Sequence, residues 1–170
     1  NGDGYSDVIV GAPYFDNGQS QEGLVCVYYG SPTGLSPTAN WTAEGDQNDA
    51  LFGVWVCTAG DVNADGYSDV IIGAPHYDNG QTNEGAAFVF HGSSTGLSNI
   101  RNWMGESNQG EAFYGYDVST AGDVNGDVFS DVIVSAISYD NGENNEGRIY
   151  GYYGSASGVS SVPAWIVESN

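Results

Sequence analysis

Basic side chains are nearly absent from this sequence. Only Arg101 and Arg148 stand against 22 acidic residues, giving a net charge of -20. Such a chain has no surface able to displace counterions from phosphates, so nucleic acid is excluded as a partner. Anionic lipid is disfavoured for the same reason. Long apolar runs are missing too: none approaches the roughly 20 residues of a membrane-spanning helix, so direct membrane insertion is not expected, and no secretory leader is visible. Cys26 and Cys57 are too few for a disulfide framework. They read as two buried thiols, with a bridge between neighbouring repeats as the alternative. What the chain has in quantity is glycine, 26 residues, and aromatics at 13%. Acidic sequences poor in aromatics stay disordered, but these aromatics and runs such as Val8-Ile9-Val10 call for a packed fold.

The second feature present is repetition. Tyr5-Ser6-Asp7-Val8-Ile9 returns as Tyr67-Ser68-Asp69-Val70-Ile71 and as Phe129-Ser130-Asp131-Val132-Ile133. Trp41, Trp103 and Trp165 keep the same 62-residue step, as do Gly30, Gly92 and Gly154. The repeats run 1–62, 63–124 and 125–170, the last incomplete. The segment without a counterpart corresponds to Gln109–Val124, so one blade is expected to lack its first strand. Within a period, 54–59 predicts a strand, 61–69 an acidic turn, and 70–72 a short strand buried on both faces. A polar loop from Tyr77 to Gly85 leads to a third strand over 86–91, and a Gly/Ser/Thr turn leads to a fourth near Trp103. No segment combines helical periodicity with caps. The fold class is therefore all-β, with four-stranded antiparallel units repeating as in propeller blades. A β-solenoid is the runner-up, although its coils are usually much shorter.

The segment with chemistry is Asp61-x-Asn63-x-Asp65-Gly66-x-x-Asp69. Hard cations such as Ca2+ take six to eight oxygens, and alternating side chains on a tight turn converge on one point. Asp61, Asn63 and Asp65 supply side chains, Tyr67 its carbonyl, and Asp69 a closing carboxylate. An EF-hand would need Glu at position twelve between helices, where Ile72 stands in a strand here. A turn shaped by Asx residues with no metal is the simpler alternative. Asp123, Asn125, Asp127, Phe129 and Asp131 repeat the pattern, with Val128 in place of the glycine. Asn1, Asp3, Tyr5 and Asp7 repeat its later positions. Asn40-Trp41-Thr42 is a lone sequon that would place a glycan on Asn40, a match of low specificity.

These residues resemble the FG-GAP repeat, the blade of integrin α-subunit propellers and of bacterial secreted proteins. Phe52-Gly53 and Gly73-Ala74-Pro75 carry the name-giving elements. Gly11-Ala12-Pro13 opens the first copy, and Tyr114-Gly115 with Ser135-Ala136-Ile137 is a worn third version. The resemblance implies part of a propeller of about seven blades, with Ca2+ held in the hairpin between the first two strands in a non-catalytic, rigidifying role. It also implies an extracellular setting, secreted or at the cell surface.

Three functions remain in view. The first is an adhesion or interaction module, with a protein or glycan ligand, a non-catalytic carbohydrate-binding role included. Its loops would be Tyr14-Phe15-Asp16-Asn17, His76-Tyr77-Asp78-Asn79 and Ser138-Tyr139-Asp140-Asn141. Turn chemistry alone also accounts for them, with Glu22, Glu84 and Glu146 holding the loops by hydrogen bonds. The second is a filament or surface-layer block, since an open stack of repeats invites further repeats or copies of the same chain. The third, an enzyme, fits least well: every distinctive carboxylate recurs in each copy, whereas a catalytic residue is normally singular.

Overall fold

The computed structural model describes residues 1–168. It contains only strands and turns among them. The first sheet joins β1 (Val8–Ala12), β2 (Leu24–Tyr28) and β3 (Trp41–Glu44). The middle sheet runs β4 (Val56–Gly60), β5 (Asp69–Ala74), β6 (Ala86–Phe90) and β7 (Trp103–Glu106). The last runs β8 (Tyr114–Gly122), β9 (Asp131–Ala136), β10 (Arg148–Tyr152) and β11 (Trp165–Glu168). All neighbours pair antiparallel in chain order, the arrangement of propeller blades. Among the described residues the first sheet has three strands, equivalent to the last three of each of the other two sheets. Strand limits differ from the sequence expectation by a residue or two: β4 starts at Val56, because Val54 closes a turn onto the Leu51 carbonyl.

Alternation within each strand divides the core into two layers between blades. Ile72, Phe88 and Phe90 of the middle blade meet Val25, Val27, Trp41 and Phe52. Ile71, Val89 and Trp103, on the opposite face, meet Tyr114, Val132, Val134, Tyr150 and Tyr152. The period-2 geometry of a strand sends successive side chains to opposite faces, so β6, and β5 beyond Asp69, are apolar on both faces. Ile71, Ile72, Phe88 and Val89 are each no more than 1% exposed.

The glycines of the name-giving elements are close-approach positions. A Cβ on Gly73 would lie 2.0 Å from the Gly115 carbonyl oxygen, and one on Gly11 would lie 1.9 Å from that of Gly53. Backbones of successive blades meet there, and only glycine leaves the room. Side chains repeat the link elsewhere. The Trp41 indole donates to the Ser98 carbonyl and the Trp103 indole to that of Ser160, both at 2.9 Å. Gln47 clasps the Asp78 backbone through both its amide atoms, and Gln109 clasps Asp140 in the same way. The two cysteines, expected to be buried, are half-buried and free. Cys26 lies in β2 opposite Val10 and Thr42, and Cys57 lies in β4 opposite Ile71.

Candidate metal centre

The acidic segments lie at one rim of the sheets, between the first and second strands of the middle and last blades. In the middle blade, Asp61 accepts the Asp65 amide at 3.0 Å on Oδ1 and the Gly66 amide at 2.8 Å on Oδ2. Asn63 Oδ1 accepts the Asp65 amide, and Asp65 Oδ1 accepts that of Tyr67. These bonds wind the backbone around the side-chain oxygens, and Gly66 takes φ 91° to complete the turn. A carboxylate oxygen that accepts one N–H keeps a further lone pair, so the same atoms remain available to a cation.

Asp69 differs from the others. It is fully buried, accepting the Val62 amide at 2.8 Å and the Gly92 amide at 2.7 Å. Burial pushes its carboxyl above the usual range, and the two backbone donors pull only partly the other way. It therefore staples the hairpin to the end of β6. Asp131 does the same in the last blade, with Val124 and Gly154, and Asp7 takes the Gly30 amide in the first.

In the last blade, Asp123 accepts amides from Gly126, Asp127 and Val128, and the Val128 donor leads in holding its carboxyl below the usual range. Val128 sits at φ 76° and is 74% exposed. Its side chain thus occupies a left-handed conformation that costs a β-branched residue about 1–2 kcal/mol. In the first loop, Asn1 and Asp3 accept the amides two residues on, as Asn63 and Asp65 do.

The loops of successive blades are coupled. Gly2 of the first lies against the Tyr67 ring of the second. Asp61 exchanges two hydrogen bonds with Ser130 of the last blade, and the Val62 carbonyl accepts the Ser155 amide. The hairpin is therefore also a seam between blades.

The sequence expectation brings together four oxygen-bearing side chains, and the structure places Asp61, Asn63 and Asp65 on one turn with Asp69 beneath it. It does not draw the carboxylates as close as a bound ion would. Among the described residues, one acidic trio has oxygens mutually within 4.8 Å, and it lies elsewhere: Glu22, Glu44 and Asp46. Sequence reasoning missed that trio, because its members are spread over 25 residues and only strand pairing unites them.

The polar loops at the far rim follow turn chemistry. Asp16, Asp78 and Asp140 each accept the amide five residues on. The buried Glu22 and Glu84 accept the amides of Asn17 and Asn79, as the sequence reading expects. Tyr77 packs edge-on against Phe88 and Tyr139 against Tyr150, whereas Tyr14 is 70% exposed. Asn40 is pinned by its own carbonyl oxygen to the Tyr29 amide, and Asn102 holds His91 identically. Its recurrence gives Asn40 a structural role independent of glycosylation.

Blades of this kind, joined by an acidic first hairpin, define a class of repeat modules, and comparison with known proteins gives the particular one. The profile of the FG-GAP repeat matches residues 1–28 and 52–90. Integrin alpha-6 of Gallus gallus is 34% identical over 144 residues, which cover 81% of this chain and 12% of that protein. Integrin alpha-7 of Homo sapiens is 34% identical over 143 residues, 81% of this chain and 11% of that protein. Integrin alpha-PS2 of Drosophila melanogaster is 32% identical over 153 residues, 82% and 11% respectively. The chain carries FG-GAP repeats and is integrin alpha-like over most of its length, while spanning about an eighth of these relatives.

Proposed function

We propose that the chain is a calcium-binding FG-GAP propeller piece of an extracellular protein, serving as an adhesion or interaction module in a ring of about seven blades. The observation that carries this reading is the recurrence, at one rim, of a hairpin whose oxygens already fold toward its centre and whose ends are bonded to the neighbouring blade. The donor set suits a hard cation: carboxylate, amide and carbonyl oxygen, with no sulfur.

Asp61, Asn63, Asp65, the Tyr67 carbonyl and Asp69 hold the ion in the middle blade. Asp123, Asn125, Asp127, the Phe129 carbonyl and Asp131 hold it in the last, and Asn1, Asp3, Tyr5 and Asp7 supply part of a site in the first. Calcium supplies positive charge and no catalysis. The chain's own residues do the rest: Asp69 anchors the turn to Gly92, and Asp61 passes that order to Ser130. The result is a rigid rim on which binding loops can be displayed. No catalytic role is part of this reading, because the distinctive carboxylates recur in every blade.

Calorimetric titration with calcium tests it. We expect Kd on the order of 10⁻⁴–10⁻³ M, the range of extracellular modules, with Asp65→Ala and Asp127→Ala each removing one equivalent. Absence of binding at millimolar calcium would contradict the reading.

A second reading, self-association, is favoured by the outer faces. Val10 is 48% exposed where the equivalent Ile72 is buried, and Ile166 and Val167 are 45% and 52% exposed. Further blades or other copies of the chain would cover them. Light scattering across a concentration series checks this, with a rising apparent mass expected and a constant monomer mass opposing it.

A further inference from the structure

We infer that Glu22, Glu44 and Asp46 form a second divalent-cation site, on the rim opposite the hairpin loops. Strand register fixes that placement. Asp7 precedes Val8, which pairs with Tyr28, whereas Leu24 at the other end of β2 pairs with Ala12 and Glu44.

Three observations converge on this corner. First, the three carboxylates each place an oxygen within 4.8 Å of the others. Oxygens around one calcium ion, at about 2.3–2.6 Å, can stand no more than about 5 Å apart, so the spacing accepts such an ion. Second, Glu22 is fully buried, and while its Oε1 takes the Asn17 amide, its Oε2 has no hydrogen-bond partner. Glu84 Oε2 is orphaned in the same way in the middle blade, where Asn108 offers no third carboxylate. A buried carboxylate oxygen left unpaired is costly and calls for a partner. Asn17 donates its side-chain amide to both Glu44 oxygens, leaving their remaining lone pairs free. Arg101 borders the same groove, but its guanidinium lies 4.8 Å from the Phe88 ring centroid and donates to the Tyr77 hydroxyl.

The third observation is a comparison between blades. In the last blade, Glu168 is the counterpart of Glu44, and Arg148 stands where the first blade has Leu24. Arg148 forms an ion pair with Glu168. A built-in cation thus occupies that corner of the last blade. The first blade has no such residue there and carries one more acid, Asp46, where the middle blade has Asn108. A mobile divalent cation supplies in the first blade what the guanidinium supplies in the last.

The experiment is calcium calorimetry on the whole chain, comparing the parent with Asp46→Asn. Asp46 and Asn108 share one backbone conformation, φ 55° and 56°, so the substitution copies a residue the fold already holds at that place. We expect Asp46→Asn to weaken one equivalent at least about tenfold and leave the others unchanged. Asn108→Asp should add an equivalent in the middle blade, beside Glu84 and Glu106. Asp65→Ala removes a different equivalent, so failure of the hairpin sites and failure of this one are distinguishable. Unchanged stoichiometry and affinity in Asp46→Asn would overturn the inference, as would an Asn108→Asp variant that gains nothing.

Discussion

The two interfaces between blades use the same positions and different chemistry. Between the first and middle blades three of the buried aromatic rings are Phe52, Phe88 and Phe90. Between the middle and last blades, one repeat further on, they are Tyr114, Tyr150 and Tyr152. The shapes are nearly alike: Phe52 and Phe88 lie 5.7 Å apart, Tyr114 and Tyr150 5.2 Å. The hydroxyls are what differ. Tyr114 donates to the Tyr152 oxygen at 2.8 Å in a fully buried bond. At these three positions one seam therefore carries phenyl rings, and the other carries buried phenols that ionise. The difference teaches that ring packing is the shared requirement, and that the Tyr114 and Tyr152 hydroxyls are accommodated by bonding to each other.

The largest effect expected is at the phenyl-lined seam. Phe88→Ala should cost about 3–5 kcal/mol, whereas Val10→Ala, at a half-exposed side chain, should cost under about 1 kcal/mol. Urea unfolding of both variants measures this, and equal losses would mean that blade contact is not what buries the rings. At the hydroxyl seam, Tyr114→Phe should cost roughly 1–3 kcal/mol by stranding the Tyr152 oxygen.

The same seam should fail in alkali. Burial raises the Tyr114 hydroxyl well above its ordinary value of 10.0 and pushes Tyr150 up to about 12. The unfolded chain ionises near pH 10 while the folded one stays neutral, so stability is intact below pH 10 and falls as pH rises toward 12. Melting temperatures across that window should drop, and the drop should shrink in Tyr114→Phe/Tyr150→Phe. The smallest effect concerns the rim. Val128→Gly should stabilise by about 1 kcal/mol, since glycine takes φ 76° without strain, and it should tighten calcium at that loop.

Much of this was legible in the sequence because it recurs. The 62-residue step and the strand order follow from aligning Tyr5, Tyr67 and Phe129 with their neighbours. The turn residues Asp61 to Asp69 were legible because an oxygen at every second position has a chemical meaning. The buried staple from Asp69 to Gly92 was not, since it joins residues that only sheet pairing brings together. The Glu22, Glu44 and Asp46 corner was hidden for the same reason. Glu22 could be read as a loop-holding residue, but its orphaned oxygen depends on what surrounds it. Nor could the sequence tell which copy of an apolar strand is covered: Val10 and Ile72 look equivalent, and one is 48% exposed while the other is buried.

The central claim is that the rim hairpins hold calcium and through it bind blade to blade. The most direct test is the melting temperature of the chain in millimolar calcium and then in chelator. With Kd on the order of 10⁻⁴–10⁻³ M, each filled loop contributes about 1 kcal/mol, so calcium should raise the melting temperature by several degrees. Asp61→Asn/Asp65→Asn should shrink that rise. An identical melting temperature with and without calcium would contradict the account.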